Sequence, residues 1–388
     1  MSLYTKVSLK ERLCLITWSW YSMCVATGGI AVLLSRTPHQ FHGITIIGKI
    51  VYILNLVLFT GISCCMTLRF CNRPAEIKES FQRPTETYFF PTFLLAIATI
   101  ILGAEAYGTD ACGPWLQVAL RIVFWIYVAC SLSVGIFHNW YLYSTVMGRK
   151  QHFPLPRVLP SFPTMLCGTV ASSIAGNQPR EHALPIIIGG LTLQGFGIMM
   201  SILIYAEYHY YLNKHGLPEP SQRPKMFIAA GPWSFTALAF IGMAKHAIEK
   251  FPPRYIISDA VPGSTGTVSI STGEIALVIA SLTSIFMWCM AFFHMCVAIL
   301  SMFSMLRCFG GPGAAPMSMS YWSMVFPNTG FVIATISIGE VLESEGIKWV
   351  GSILTILQIS VWLGVGLATV YGVSTRRMLW PADAKRSA

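Results

Sequence analysis

Apolar residues are gathered into ten long runs, and the polar residues between them are confined to short connections. A helix needs about 20 mostly apolar residues to cross a bilayer. Runs at 16–35, 45–68, 89–107, 115–143, 162–176, 184–211, 226–246, 275–304, 321–340 and 349–372 meet or approach that length, the fifth being the shortest. The pattern predicts an all-α polytopic membrane protein. It divides the chain into an N-terminus (1–15), a ten-helix transmembrane domain (16–372) and a C-terminal tail (373–388). The apolar run after MSLYTKVSLKER has no small-residue cleavage site and reads as a first membrane helix, not a removed signal peptide.

The odd and even runs differ in kind. Even runs are long and bulky, as in WLQVALRIVFWIYVACSLSVGIFHNWYLY. Odd runs are interrupted by Gly or Pro and dotted with hydroxyls. They carry ATGGIA in the first, Pro91, Thr99 and Gly103 in the third, FPTMLCGTVASS in the fifth, GPWSFTAL in the seventh and FPNTG in the ninth. A difference that recurs in every second helix implies repeated helical hairpins, one odd and one even span each. Interrupted helices at corresponding positions of repeats point to a transport site. Small residues also let helices approach closely, which is the plainer reading of any one of them.

SMVFPNTGF, Ser323 to Phe331, poses the problem most sharply. Proline removes a backbone donor, and Asn and Thr are costly in hydrocarbon. Irregular backbone is tolerated at membrane depth where it lines a water-filled cavity. The expectation is therefore five kinked inner helices around a central passage.

Composition agrees with a membrane protein. Only 11% of residues are charged and mean hydropathy is +0.60, against roughly 25% charged in a soluble domain. The net charge of +10 does not indicate nucleic acid, because the cations lie in short connections and form no basic stripe. Of the 26 Lys and Arg, 18 fall on one side of the membrane and 7 on the other, with Arg121 inside the fourth span. The positive-inside rule then predicts that both termini are cytoplasmic, as an even number of spans requires. The longest outer connection, about Lys245 to Glu274, holds the Gly/Ser/Thr-rich VPGSTGTVSISTG. The 11 cysteines include no C-x-x-C pair. Cys24, Cys130, Cys167, Cys289 and Cys296 read as small buried hydrophobes. The H-x-x-H of His39 and His42 lacks the further ligands a zinc site needs, and no cofactor is expected.

Five stretches carry a resemblance: TWSWYSMCVATGGIAVLL, FFPTFLLAIATIILGAEAYG, FPTMLCGTVASSIAGNQP, RPKMFIAAGPWSFTALAFIGMA and WSMVFPNTGFVIATISIG. In this order, from the first span to the ninth, they resemble the tellurite-resistance/dicarboxylate transporter family, which includes the plant slow anion channels. Within it the chain looks like the fungal malic acid transport proteins. The resemblance implies five hairpins with quasi-fivefold symmetry, odd helices forming a pore and even helices an outer ring. It implies assembly as a homo-oligomer, a trimer or dimer, in the plasma membrane. It implies transport of C4-dicarboxylates such as malate and succinate, down a gradient or by symport with a proton. A sulfite efflux transporter or a small-anion channel of the same fold is the alternative. The phenylalanine that occludes the pore in the anion channels maps onto Phe326, before Pro327. One departure is visible. Relatives usually show two prolines in a GPPSF motif, and here the second is Trp233, which is expected to add bulk near the pore.

An anion crossing hydrocarbon needs donors in place of water and positive potential to draw it in. The odd helices offer Thr27, Thr169, Ser172, Ser234, Thr236, Asn328 and Thr329 as donors, with freed backbone N–H groups at Gly28, Gly29 and Gly330. Each hydroxyl has the competing option of bonding its own helix carbonyl. Lys245, ending the seventh span, is the candidate for attracting anions, and Arg36 extends the same outer funnel. Arg121 either joins the substrate pathway or braces the bundle by pairing with Glu105. Glu105, Glu207, His138, His294 and Glu340 lie in or at the ends of spans and are open candidates for a proton relay. A membrane enzyme is disfavoured, since no constellation such as H-E-x-x-H is present, and ten paired spans do not suit a seven-helix receptor.

Overall fold

The structure, a computed structural model, describes residues 8–146, 153–252, 255, 270–306 and 318–380. All regular structure among the described residues is helical. The long helices are α1 (Tyr21–Arg36), α2 (Ile44–Asn72), α3 (Thr92–Cys112), α4 (Pro114–Ser133), α5 (Phe162–Ile174), α6 (Arg180–His215), α7 (Ala230–Lys250), α8 (Thr272–Leu306), α9 (Phe326–Val341) and α10 (Glu345–Ser374). Among the described residues, nine segments, those built on α2 to α10, are long and apolar enough to cross a membrane. This is an all-α polytopic membrane protein. The helix α1 has 16 residues. Residues 261–269 of the VPGSTGTVSISTG stretch lie outside the described residues.

Four of the five odd helices have a shared construction at their N-terminal ends. A turn of 3₁₀-helix precedes α1 (Trp18–Trp20), α5 (Leu155–Ser161), α7 (Pro220–Ala229) and α9 (Met319–Met324). Pro163 and Pro327 stand in the first turns of α5 and α9. A proline there leaves no hydrogen bond unmade, because the first N–H groups of a helix have no partner within it. The break expected in the middle of the ninth run is thus a junction. The SMV of SMVFPNTGF ends the lead-in, and Phe326 starts an α-helix that runs unbroken to Val341. The short fifth run reaches a spanning length by the same means, since its lead-in extends the segment to Leu155–Asn177, 23 residues.

Burial alternates along the chain. The apolar stretch is 94% buried in Leu155–Asn177 and 83% in Pro220–Lys250, but only 22% in the segments of α2, α8 and α10. On α2 the exposed Ile46, Ile50, Ile53 and Val57 form one helical face. That face suits hydrocarbon, where apolar side chains have no reason to hide. Cys130 and Cys289, expected to be buried, are exposed on α4 and α8. Their apolar surroundings are lipid-facing, which hydrophobicity alone does not distinguish from a core.

Aromatic side chains on the even helices tie the odd ones together. Tyr52 of α2 donates to the Ile100 carbonyl of α3 at 3.1 Å. Tyr127 of α4 donates to the Pro163 carbonyl of α5 at 3.2 Å. Tyr205 of α6 donates to the Ala229 carbonyl, at the start of α7, at 2.7 Å. Trp288 of α8 donates to Thr335 Oγ1 of α9 at 2.7 Å. Trp362 of α10 donates to Thr27 Oγ1 of α1 at 3.2 Å. Each even helix grips the odd helix that follows it, and the last grips the first. A bond of this kind contributes about 1 kcal/mol, and leaving its buried partner unsatisfied costs more.

The two ends of the chain meet on one side. Arg12 donates to the carbonyls of Leu379 and Val373 at 3.2 and 3.3 Å, with its guanidinium over the Trp380 ring. On the same side Arg69, at the end of α2 and 2% exposed, holds Glu76 at 2.8 Å and also pairs with Glu86 in the turn before α3. Burial raises the Glu76 carboxyl, but Arg69 and Arg73 outweigh it and hold the group below its ordinary range.

Candidate functional site

The N-terminal ends of the odd helices converge on three phenylalanines. Phe326, the first residue of α9, stacks on Phe235 of α7 with centroids 4.7 Å apart and planes 24° apart. Phe162, the first residue of α5, meets Phe326 edge-on at 6.0 Å. Each ring lies against a glycine of the next odd helix. A Cβ on Gly231 of α7 would lie 2.8 Å from Phe162, one on Gly330 of α9 2.7 Å from Phe235, and one on Gly29 of α1 3.1 Å from Phe326. Only glycine lets the rings sit this close to the neighbouring backbone.

Beneath the rings is a cavity of about 40 Å³, lined by Ser22, Thr92, Phe162, Ile228 and Phe326 among others. Every odd helix or its lead-in contributes to it. Such a space admits water and is too small for a four-carbon diacid. Phe326 itself is 7% exposed.

The candidate donors separate into groups. Thr169 is buried and its hydroxyl has no partner among the described residues. Asn328 donates to the Met324 carbonyl at 2.9 Å, while its Oδ1 is buried without a partner. Ser172 and Thr329 bond carbonyls of their own helices at 2.8 and 3.0 Å. Ser234 bonds its own helix at Ala230 and reaches the Pro327 carbonyl of α9 at 3.4 Å. Thr27 and Thr236 accept from even helices, from Trp362 and from Gln194 Nε2 at 2.8 Å. Gly28 faces Thr99 and Asn55, and its missing Cβ makes room for both.

At the opposite ends of the odd helices stands a ring of charge. Lys245 of α7 pairs with Glu340 of α9 at 2.7 Å. Arg36 of α1 donates to Ser173 Oγ at 3.3 Å, and Ser173 donates to Glu105 of α3 at 2.8 Å. The expected Arg121–Glu105 pair is not formed. Glu105 accepts instead from Ser173 and from Asn177 at 3.2 Å. Of the other relay candidates, Glu207 pairs with Arg157, His138 meets the Thr87 carbonyl, and His294 meets His209.

Trp233 corrects another expectation. Its ring stacks on Tyr205 of α6 at 5.1 Å and faces His294 of α8 at 6.5 Å, so its bulk lies against the even helices and not on the axis. The H-x-x-H histidine His39 stacks on Trp349 of α10 and shares a hydrogen bond with Ser352 at 2.9 Å. Phe162, Phe235 and Ser173 were not singled out by the sequence. A signal for Phe162 exists in the repeated F-P pairs at Phe90-Pro91, Phe162-Pro163 and Phe326-Pro327.

The model of the SLAC1 voltage-dependent anion channel family matches residues 16–370. The chain is 31% identical to the malic acid transport protein of Schizosaccharomyces pombe over 359 residues, 92% of this chain and 78% of that protein. A second protein of the same yeast, provisionally named for malic acid transport, is 30% identical over 97% of this chain and 84% of its own. The sulfite efflux pump SSU1 of Arthroderma benhamiae is 23% identical over 92% of this chain and 91% of its own. A match that runs from the turn before α1 almost to the end of α10 leaves no large part of the fold outside it: the chain belongs to the voltage-dependent anion channel family.

Proposed function

We propose that this protein moves C4-dicarboxylates such as malate and succinate across a membrane, along an anion path between its odd helices. The observation that carries the substrate is the 31% identity to a malic acid transport protein over 92% of the chain. Ten spans in five hairpins with quasi-fivefold symmetry are part of the reading. The alternation in burial and the closed circuit of aromatic donors support them. Phe326 is the gate, supported by its place in the ring cluster above a cavity too small for substrate. Thr169 is the pathway donor whose hydroxyl has no partner among the described residues, Asn328 donates only through its Nδ2, which also holds the Met324 carbonyl, and Lys245 attracts anions at the outer mouth. The domain 16–372 forms the transporter, both termini are cytoplasmic and the membrane is the plasma membrane. The apolar outer faces of the even helices serve for assembly as a trimer or dimer.

The test is uptake of labelled malate into proteoliposomes at two external pH values, with sulfite as competitor. Uptake that resists sulfite supports the dicarboxylate reading, and a rise at acid pH adds proton symport. The 23% identity to a sulfite efflux pump supplies the second reading. Movement of sulfite without malate would establish it instead.

A further inference from the structure

A second cavity lies on the side of the chain termini, beyond the small one under Phe326. Its volume is about 320 Å³, at the lower end of the range of small-molecule sites. Phe89 lines both cavities, so the two are neighbours along the axis. The lead-ins of α1, α7 and α9 and the short helix Pro84–Thr87 before α3 contribute polar residues to the larger one. Ser19 comes from before α1, Thr85 from before α3, Lys225 from before α7 and Ser320 from before α9. Met378 and Leu379 of the C-terminal segment close one side, held there by Arg12.

Among the described residues, Lys225 is the only charged group in the lining. Its ammonium donates to Gln222 Oε1 at 2.7 Å and lies 5.7 Å from the centroid of the Phe89 ring. Among the described residues no carboxylate reaches it. Several other cations of the same side are paired with carboxylates, Arg69 with Glu76 and Glu86, Arg83 with Glu79 and Arg157 with Glu207. A half-buried ammonium in a cavity lined by hydroxyls, with no carboxylate partner among the described residues, favours an anion, because a partner of opposite sign offsets the cost of desolvating the charge.

We propose that this cavity is the inner substrate site, where Lys225 binds one carboxylate of a C4-dicarboxylate and the hydroxyls of Ser19, Thr85 and Ser320 replace its water. The inference rests on the dicarboxylate reading for the identity of the ligand, but not for the presence of an anion site. From here the next step along the axis is the cavity under Phe326.

The experiment is calorimetric titration of the purified protein with succinate, sulfite and chloride in turn, for wild type, Lys225→Gln and Lys225→Arg. Removing a charged hydrogen-bond partner is expected to weaken succinate binding about tenfold or more in Lys225→Gln, and Lys225→Arg is expected to restore most of it. If wild type binds sulfite or chloride and not succinate, the dicarboxylate reading fails. The site then stands if Lys225→Gln weakens that anion and falls if it does not. Unchanged succinate affinity in folded Lys225→Gln overturns the inference, as does the absence of any anion binding in wild type. Wild-type protein treated with an acetylating reagent gives an answer that needs no variant. Saturating succinate should suppress acetylation of Lys225 read by mass spectrometry, and undiminished acetylation would overturn the site.

Discussion

Phe326 packs directly on the backbone of Gly29: the ring edge lies 3.1 Å from where a Cβ on Gly29 would stand. The contact joins the first turn of α9 to the middle of α1. It makes the glycine as much a part of the proposed gate as the aromatic ring.

Two substitutions should therefore act in opposite directions. Phe326→Ala removes the ring and is expected to raise anion leak in proteoliposomes. It also empties a buried volume, at a cost of about 3–5 kcal/mol. Gly29→Val drives side-chain atoms into the ring and is expected to abolish transport. Equal flux in both variants and wild type, with matched protein in the membrane, would remove Phe326 from the gate.

The buried ion cluster at the end of α2 should behave unlike the pairs around it. Arg69→Met leaves Glu86 and Glu76 without their shared cation, and is expected to cost about 3–5 kcal/mol. Arg83, half exposed, also pairs with Glu79, and its loss should cost no more than about 1 kcal/mol. Thermal unfolding in detergent compares the two, and similar midpoints for both variants would contradict the distinction.

The Glu76 carboxyl gives the cluster a pH signature. Its folded value lies below the ordinary 4.5, with burial opposing and Arg69 and Arg73 prevailing. The stability it contributes is complete above the ordinary value and is lost as pH falls through the lowered one. Wild type should exceed Glu76→Gln in unfolding midpoint at neutral pH, and the gap should narrow below about pH 4.5. A gap that widens on acidification would show the sign to be wrong.

At the end of the bundle away from the chain termini, Lys245 and Glu340 are both partly exposed, so breaking the pair should change stability by less than about 1 kcal/mol. The effect on anions should be larger and depend on sign. Lys245→Gln is expected to weaken malate affinity, and Glu340→Gln to strengthen it by releasing the ammonium. Both effects should shrink in high salt. Identical shifts from the two variants would mean that the pair only anchors the helix ends.

Much of the scaffold is legible in the residues, because apolar run length and the odd–even contrast act over 20 residues or more. The 3₁₀ lead-ins are not, since a turn or two of either helix type offers nearly the same side-chain spacing. Nor is the facing of individual hydroxyls. Thr27 and Thr169 look alike in sequence, yet one accepts from Trp362 and the other has no partner among the described residues. That difference is set by how each helix is rotated against its neighbours. Lys225 reads as an ordinary loop cation beside a span. Only the fold brings hydroxyls from three other segments into the same cavity.

The five aromatic donors act as a hoop around staves. Tyr52, Tyr127, Tyr205, Trp288 and Trp362 join each outer helix to the next inner one until the circle closes. The inner helices cannot spread without parting at least one of these links. Opening is then cheapest as a swing of side chains inside a circumference that stays constant. Side-chain rotation displaces far less of the protein than the movement of whole helices, so with Phe326 as the proposed gate the circle can stay closed while one ring turns aside.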